Sequence, residues 1–534
     1  MTAPATRRAV RSATPAFPAD PLAWRVLSLV GLLVAWELLA RFNAGSYVLA
    51  GPVAVTRYGI EHAGLLARAV GVTLTNAAWG FLWGNLAALA FAAAILLAPR
   101  LERSAVALAL VVFCLPLVAT GPILRVAFGP GDGPQIVLAA LAVHYTTLLA
   151  LLVGLRAVPR SWLDLVESYG RGAGAQLIHV RAMAALPYLG AGLRIAAPAA
   201  ILGAMVGEFT GAERGLGVLT IRAMRALDVD ATWTITLIAA GIAMLAYHAF
   251  GALLGRVMAD PPALLLAAPG PATGHGWARR AGGLALAALA VLALWQGGMD
   301  ALGLSPFFAK RPGDVLAFLV TDDGAAAHRA TLLGAFGETL LYALPGYLAG
   351  LALGAGLACA IVLAPGIATV ALPVAVALRS VPIVTTAPLL VLALGRGATG
   401  TIAIVAVMIF FPTLVACLQG LRQAPGQVLD IFSSYATGRW RTLALARIPA
   451  MLPAFFAAAR MGVPAAILAV TTAEWLATGR GIGSLMALTA STSNYNMLWS
   501  AIALVALTAS LAYALVARVE RAVLRVYGPE QLAR

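Results

Sequence analysis

Residues Gly154–Gly217 read GLRAVPRSWLDLVESYGRGAGAQLIHVRAMAALPYLGAGLRIAAPAAILGAMVGEFTGAERGLG, and residues Gly420–Gly483 read GLRQAPGQVLDIFSSYATGRWRTLALARIPAMLPAFFAAARMGVPAAILAVTTAEWLATGRGIG. The two stretches align without a gap. Gly154/Gly420, Pro159/Pro425, Asp164/Asp430, Tyr169/Tyr435, Pro187/Pro453, Arg194/Arg460, Glu208/Glu474 and Gly217/Gly483 all stand 266 positions apart. The chain is therefore two copies of one unit joined head to tail.

Each copy sets a polar, Arg-bearing segment of about 30 residues between two long apolar runs. Irregular backbone inside hydrocarbon would leave N–H and C=O groups without partners, at several kcal/mol each. The polar segment thus lies outside the lipid as a folded loop, a place where membrane proteins meet soluble partners.

Composition supports this. Of 534 residues, 61% are hydrophobic and 11% charged, with mean hydropathy +0.92, too apolar for a water-exposed surface. The net charge of +15 comes in short Arg clusters between apolar runs, and no basic domain exists to hold a duplex. These charges orient the chain in a bilayer, and no nucleic acid is expected as a partner. Cys114, Cys359 and Cys417 sit in apolar stretches without metal-ligand spacing and read as small core residues.

Outward from the duplicated loop, apolar runs of spanning length recur. In the first half they lie near 24–39, 72–98, 104–128, 135–155, 189–209 and 232–254. In the second they lie near 281–302, 332–363, 370–394, 401–418, 454–476 and 498–516. The expected fold is an all-α membrane protein with about 12 transmembrane helices in two tandem six-helix units. The expected divisions are an N-terminal tail (1–22), a first unit (23–257), a linker (258–280), a second unit (281–523) and a C-terminal tail (524–534). Arg7, Arg8 and Arg11 precede an apolar run without a small-residue cleavage site, which reads as an uncleaved first span. An even span count puts both halves the same way up. The Lys/Arg excess places the N-terminus, linker, C-terminus and both loops in the cytoplasm.

Thr73/Thr339, Gly80/Gly346, Pro99/Pro365, Pro116/Pro382 and Pro122/Pro388 keep the same offset, whereas Pro52 pairs with Pro312, so six residues are inserted in the second copy's first outer loop. Lys310 is the only lysine and lies in no P-loop pattern, so ATP is not bound through one. No His/Cys/carboxylate cluster of metal spacing and no nucleophile with an evident base is present. The sequence therefore offers no catalytic residues, metal site or cofactor site.

Within the loop, Pro159 and Pro425 suit a helix start, Asp164 and Asp430 lie in that helix, Gly170 breaks it in copy one, and Pro187 and Pro453 precede the next span. Leu163, Val166 and Tyr169, with Leu429, Phe432 and Tyr435, fall at helical spacing. They serve either as knobs for a partner's groove or as packing onto the loop's own membrane domain. Glu208 and Glu474 read as solvated outer ends of spans, with gating or substrate passage as the alternative. Arg194 and Arg460 read as snorkelling cations, with an anion path as theirs. The Gly-broken segments 211–225 and 478–490 suggest short helices on the outer face.

The loops resemble the EAA loop of ABC-importer permeases: an acidic residue, a Gly six positions on, then a hydrophobic-Pro pair, here Leu186-Pro187 and Leu452-Pro453. The surrounding Ser168-Tyr169-Gly170, the GLR at 192–194, Glu208 or Glu474, and RGLG or RGIG at 214–217 and 480–483 are similar to the nitrate/sulfonate/taurine branch. The resemblance covers nearly the whole chain, twice. It implies a fused dimer of type I permease units in a bacterial inner membrane. It also implies two copies of a cytoplasmic ABC ATPase, a periplasmic solute-binding protein and surrounding membrane lipid as partners, and a small anion such as a sulfonate or nitrate as solute. Asp164, Ser168, Tyr169, Gly170 and Pro187 would form one ATPase-coupling loop, and Asp430, Ser434, Tyr435, Ala436 and Pro453 the other. The chain departs from the pattern where Asp replaces the leading Glu and where Ala436 replaces the Gly. A longer helix or a bend shifted to Gly438 is expected there. The rival is an ion-coupled secondary transporter with parallel six-helix repeats, which would need carboxylates or His near mid-bilayer.

Overall fold

The computed structural model describes residues 21–45, 49–97, 102–257, 277–368, 371, 390, 394–395 and 397–527. The described residues form helices and no strand. The first unit opens with α1 (Pro21–Phe42), the short α2 (Pro52–Glu61) and α3 (Ala63–Leu97). It continues through α4 (Glu102–Phe113), α5 (Leu117–Phe128), α6 (Gly133–Arg156), α7 (Arg160–Ser168) and α8 (Ala173–Gln176). A π turn (Leu177–Arg181) then leads into α9 (Ala182–Phe209), followed by α10 (Leu216–Arg225) and α11 (Val229–Val257). The second unit repeats this order with α12 (Trp277–Ala301), α13 (Pro312–Val320) and α14 (Ala325–Leu363). After them come α15 (Ala398–Arg422), α16 (Gly426–Ser434), α17 (Arg439–Thr442), a π turn (Leu443–Arg447) and α18 (Ile448–Ala473). A further π turn (Glu474–Thr478), α19 (Gly481–Ser491) and α20 (Tyr495–Tyr527) end it.

Eight helices among the described residues are long and apolar enough to cross a membrane. They are the second, fourth, fifth and sixth expected spans of each half. The first spans are α1 and α12, of 22 and 25 residues. The third span of the first half, expected unbroken over 104–128, is instead two 12-residue helices parted at Cys114–Pro116. Pro116 has no N–H to donate and disfavours helical backbone at Leu115, so the chain turns there. The expected span at 370–394 lies largely outside the described residues. So do most of the linker, all but the last two residues of the N-terminal tail, and 528–534 of the C-terminal tail. The chain is already helical at Trp277 and stays helical to Tyr527, across the expected edges at 281 and 523.

Small residues let the central helices touch. A Cβ on Gly203 of α9 would stand 2.7 Å from the Ala139 Cα of α6, and one on Gly350 of α14 would stand 2.7 Å from the Ala406 carbonyl oxygen of α15. Close backbone approach of this kind maximises dispersion contact where lipid offers no hydrophobic drive for helix association. The two units share one core. Val118, Val206 and Phe209 of the first pack with Ile404, Val405 and Val470 of the second. Ala119 and Ile123 of α5 insert among Phe318, Ile482, Leu498 and Ile502.

At the ends of α9 and α18, each unit repeats one polar knot. The Thr73 hydroxyl donates to Glu208 Oε1 at 2.7 Å, the Gly217 N–H donates to Glu208 Oε2 at 2.7 Å, and the Leu216 N–H donates to Thr73 Oγ1 at 2.9 Å. In the second unit Thr339 donates to Glu474 at 2.8 Å, Gly483 N–H to Glu474 Oε2 at 2.8 Å, and Ile482 N–H to Thr339 Oγ1 at 2.8 Å. The carboxylate and its threonine thus each take up one free N–H at the start of α10 or α19, and the carboxylate faces the positive end of that helix. Gly215 (φ +124°) and Gly481 (φ +82°) precede the contact, and a Cβ at either would collide with the carboxylate. Both glutamates are 1% exposed. The expectation of solvated span ends is therefore corrected: α10 and α19 fold back over them.

The two loop helices end alike. The Gly170 N–H bonds to the Glu167 carbonyl and the Arg171 N–H to the Val166 carbonyl. In the second copy Ala436 N–H bonds to Ser433 and Thr437 N–H to Phe432. This is the paired cap of a left-handed C′ residue, with φ +69° at Gly170 and +47° at Ala436. The expected shift toward Gly438 is corrected, since both helices run nine residues and Ala436 takes the left-handed conformation itself.

Two outcomes follow from these local geometries. Glu474→Ala orphans two buried donors and should cost about 2–4 kcal/mol, seen as a lowered thermal midpoint of the detergent-solubilised chain. Glu474→Gln, which keeps one acceptor oxygen, should cost less, and equal losses would mean that the carboxylate is not the tie. Ala436→Gly relieves a left-handed Cβ and should protect loop amides around Tyr435 from hydrogen exchange by about 1 kcal/mol, whereas Gly170→Ala should expose those around Tyr169 by a similar amount.

Candidate functional site

α7 and α16 lie at the end of the molecule opposite the two glutamate knots, one between α6 and α9, the other between α15 and α18. Proline caps each helix at Pro159 and Pro425, with the extended ψ that a following helix start needs. Both are amphipathic, and their faces are set by burial. Leu163 and Val166 are half-buried, as are Leu429 and Phe432, and these hold the loop against its own unit. Gln176 adds a bond from its side-chain amide to the Leu163 carbonyl at 3.2 Å.

The opposite face is uncovered. Trp162 is 56% exposed, Leu165 55% and Tyr169 78%, at i, i+3 and i+7 of one stripe. Val428, Ile431 and Tyr435 occupy the same three positions in the second copy, with Ile431 56% and Tyr435 79% exposed. Of the residues read from sequence as knobs, only the tyrosines stand free; Leu163, Val166, Leu429 and Phe432 turn inward. Trp162, Leu165, Val428 and Ile431 were missed because a short amphipathic helix can be read in two registers, and only packing decides between them. Asp164 and Asp430 are exposed beside the stripe. Ser168 and Ser434 bond back to the Leu165 and Ile431 carbonyls at 2.7 and 2.8 Å, tightening the last turn. Pro187 and Pro453 do not precede their spans but lie inside α9 and α18, each after a π turn.

The two arginines of the deep helices differ. Arg460 is 6% exposed, and its Nη1 meets Glu520 Oε2 of α20 at 3.2 Å. Its neighbour Met461 packs on the first-unit cluster around Tyr145 and Leu148, so the ion pair lies beside the junction of the two units. Arg194 stacks 4.1 Å from the Tyr247 ring centroid, as Arg460 lies 5.9 Å from that of Tyr513. The residue matching Glu520 is Leu254, so Arg194 has no such carboxylate. Snorkelling is therefore corrected for Arg460, whose charge is answered inside the protein. Glu520 was missed because it stands 60 positions from its partner, beyond the expected span end, and has no counterpart in the first half.

The candidate residues do not converge on one centre. α9, 28 residues long, separates the Glu208 knot from the α7 loop by about 40 Å at 1.5 Å per residue.

Comparison with known proteins identifies the family. Residues 80–259 and 331–525 each match the family described as binding-protein-dependent transport system inner membrane component. A probable ABC transporter permease protein of Haemophilus influenzae is 36% identical over 234 residues, which are 43% of this chain and 95% of that one. A riboflavin transport system permease protein of Chloroflexus aurantiacus is 28% identical over 29% of this chain and 57% of its own. The taurine transport system permease protein of Escherichia coli is 27% identical over 38% of this chain and 74% of its own. No solved structure matches the chain. With the family matched twice, once in each unit, the chain belongs to the binding-protein-dependent transport system inner membrane components, the permeases of ABC transporters, and is a multi-pass inner membrane protein.

Proposed function

We propose that the two units form one solute pathway as a fused dimer, and that α7 and α16 each dock on one copy of a cytoplasmic ATP-binding-cassette ATPase. The observation that carries this reading is the pair of uncovered stripes, Trp162–Leu165–Tyr169 and Val428–Ile431–Tyr435, on helices of equal length 266 positions apart. An amphipathic helix laid into a partner's groove uses this i, i+3, i+7 pattern of anchors. ATP binding and hydrolysis by the partners would rock the units against each other across the core they share, while this chain hydrolyses nothing. The Lys/Arg bias supports cytoplasmic N- and C-termini and loops, which puts the α10 and α19 face toward the periplasm and a solute-binding protein.

For the solute, a small anion such as a sulfonate or nitrate is supported by the branch motifs Ser168-Tyr169-Gly170 and Arg214–Gly217. Relatives described as transporting taurine and aliphatic sulfonates also support it. Of the deep cations, Arg194 is the one without an opposing carboxylate and so the one suited to an anion's path. Glu520 already answers the charge of Arg460.

The mass of the solubilised complex should contain one copy of this chain and two ATPase subunits; two copies of the chain would overturn the fused dimer. Tyr169→Ala combined with Tyr435→Ala should lower ATP hydrolysis stimulated by loaded binding protein by a factor of about ten, the loss expected of an exposed aromatic anchor. Membrane insertion should be unchanged. Full stimulation in that variant would remove the loops from the coupling.

A further inference from the structure

On the face opposite α7 and α16, the first unit holds a cavity of about 730 Å³ between α3 and α10, within the usual size range of small-molecule sites. Arg68, Arg214 and Arg222 line it, and among the described residues none of the three guanidinium groups has a hydrogen bond or ion pair. Asn76 also lines it, 1% exposed, with its amide nitrogen buried and without an acceptor. Gly215, on the wall, opens the N-terminus of the ten-residue α10.

The second unit shows what belongs there. The Gly481 N–H, equivalent to that of Gly215, donates to Glu338 Oε2 at 3.0 Å. Glu338 is matched in the first unit by Val72, which also lines the cavity. A carboxylate of the chain thus fills the position in one unit and is deleted in the other. The cations have moved the opposite way: Arg68 and Arg222 are matched by Gly334 and Leu488, while Arg214 is kept as Arg480. The Gly215 N–H, the guanidinium groups and the orphaned Asn76 amide are all donors, and none has an acceptor among the described residues.

We infer that this cavity is a binding site for an external oxyanion, a carboxylate, sulfonate or phosphate, seated where the Glu338 carboxylate sits in the second unit. Asp132 and Glu213 also line the cavity, so its charge is one positive. This favours a singly charged oxyanion, with the two acids placed for a donor group on the same ligand. The anion would accept from the Gly215 N–H and the guanidinium groups, as anions do at helix N-termini and at planar Arg forks. The site does not rest on the coupling role of the loops.

The test is equilibrium titration of the full chain, purified in an uncharged maltoside detergent at low ionic strength, with sulfate and with methanesulfonate. Native mass spectrometry should be run in parallel with added phosphatidylglycerol. Saturable binding of the free anions should be abolished by Val72→Glu, which supplies the second unit's own carboxylate, with thermal unfolding confirming that the variant folds. Arg222→Gln should weaken binding roughly tenfold, the value of one charge-assisted hydrogen bond, and decides the matter if Val72→Glu does not fold. Phospholipid retention that Val72→Glu or Arg222→Gln removes, with no uptake of free anion, upholds the site and names a headgroup phosphate as its source. Binding of anion and lipid that neither substitution alters, or no binding of either, overturns the inference.

Discussion

The interaction on which the remaining structure depends is a buried carboxylate tied to a helix start. A glutamate at the end of a long apolar helix is costly to bury unless its oxygens are met by donors, and here a threonine hydroxyl and backbone N–H groups meet them. The benefit is positional. Thr73 lies 135 positions from Glu208, and the bond joins α3, α9 and α10 at one point. α9 is fixed at this end by the knot and crossed by α6 through glycine contacts along its length.

Much of this was legible in the sequence because duplication supplies a built-in control. The constant offset identified the units, the loops, and the threonine and glutamate pairs before any coordinates. What it did not supply was how Thr73, Glu208 and Gly217 combine. A hydropathy profile sees Glu208 as the end of an apolar run, and only the return of α10 makes that end an interior. The same limit hid Glu520, whose partner is on another helix, and the stripe of Trp162 and Leu165, whose register depends on which face the membrane domain covers. Ala436 went astray for a different reason. Local preference favours Gly at a left-handed cap, but the two backbone bonds from Ala436 and Thr437 hold the turn against a penalty of about 1–2 kcal/mol.

Several of the differences between the halves are differences of charge. Glu338 stands against Val72, Glu520 against Leu254, and Arg68 and Arg222 against Gly334 and Leu488. A relative covered over 95% of its length by 43% of this chain carries a single unit. Were two such chains to pair, every residue at the junction would appear twice, and a carboxylate introduced for one side would be imposed on the other. Joining the units in one chain lifts that constraint.

The consequence can be read at the junction itself. Arg460 can be buried beside the first unit because Glu520 accompanies it, and an uncompensated cation there would cost several kcal/mol. Arg194 keeps the aromatic stack but not the carboxylate, so it is held less completely. A pair of identical units would have to adopt one of these states on both sides. This chain combines a side whose arginine is paired with a carboxylate and a side whose arginine is not, at equivalent positions of α9 and α18.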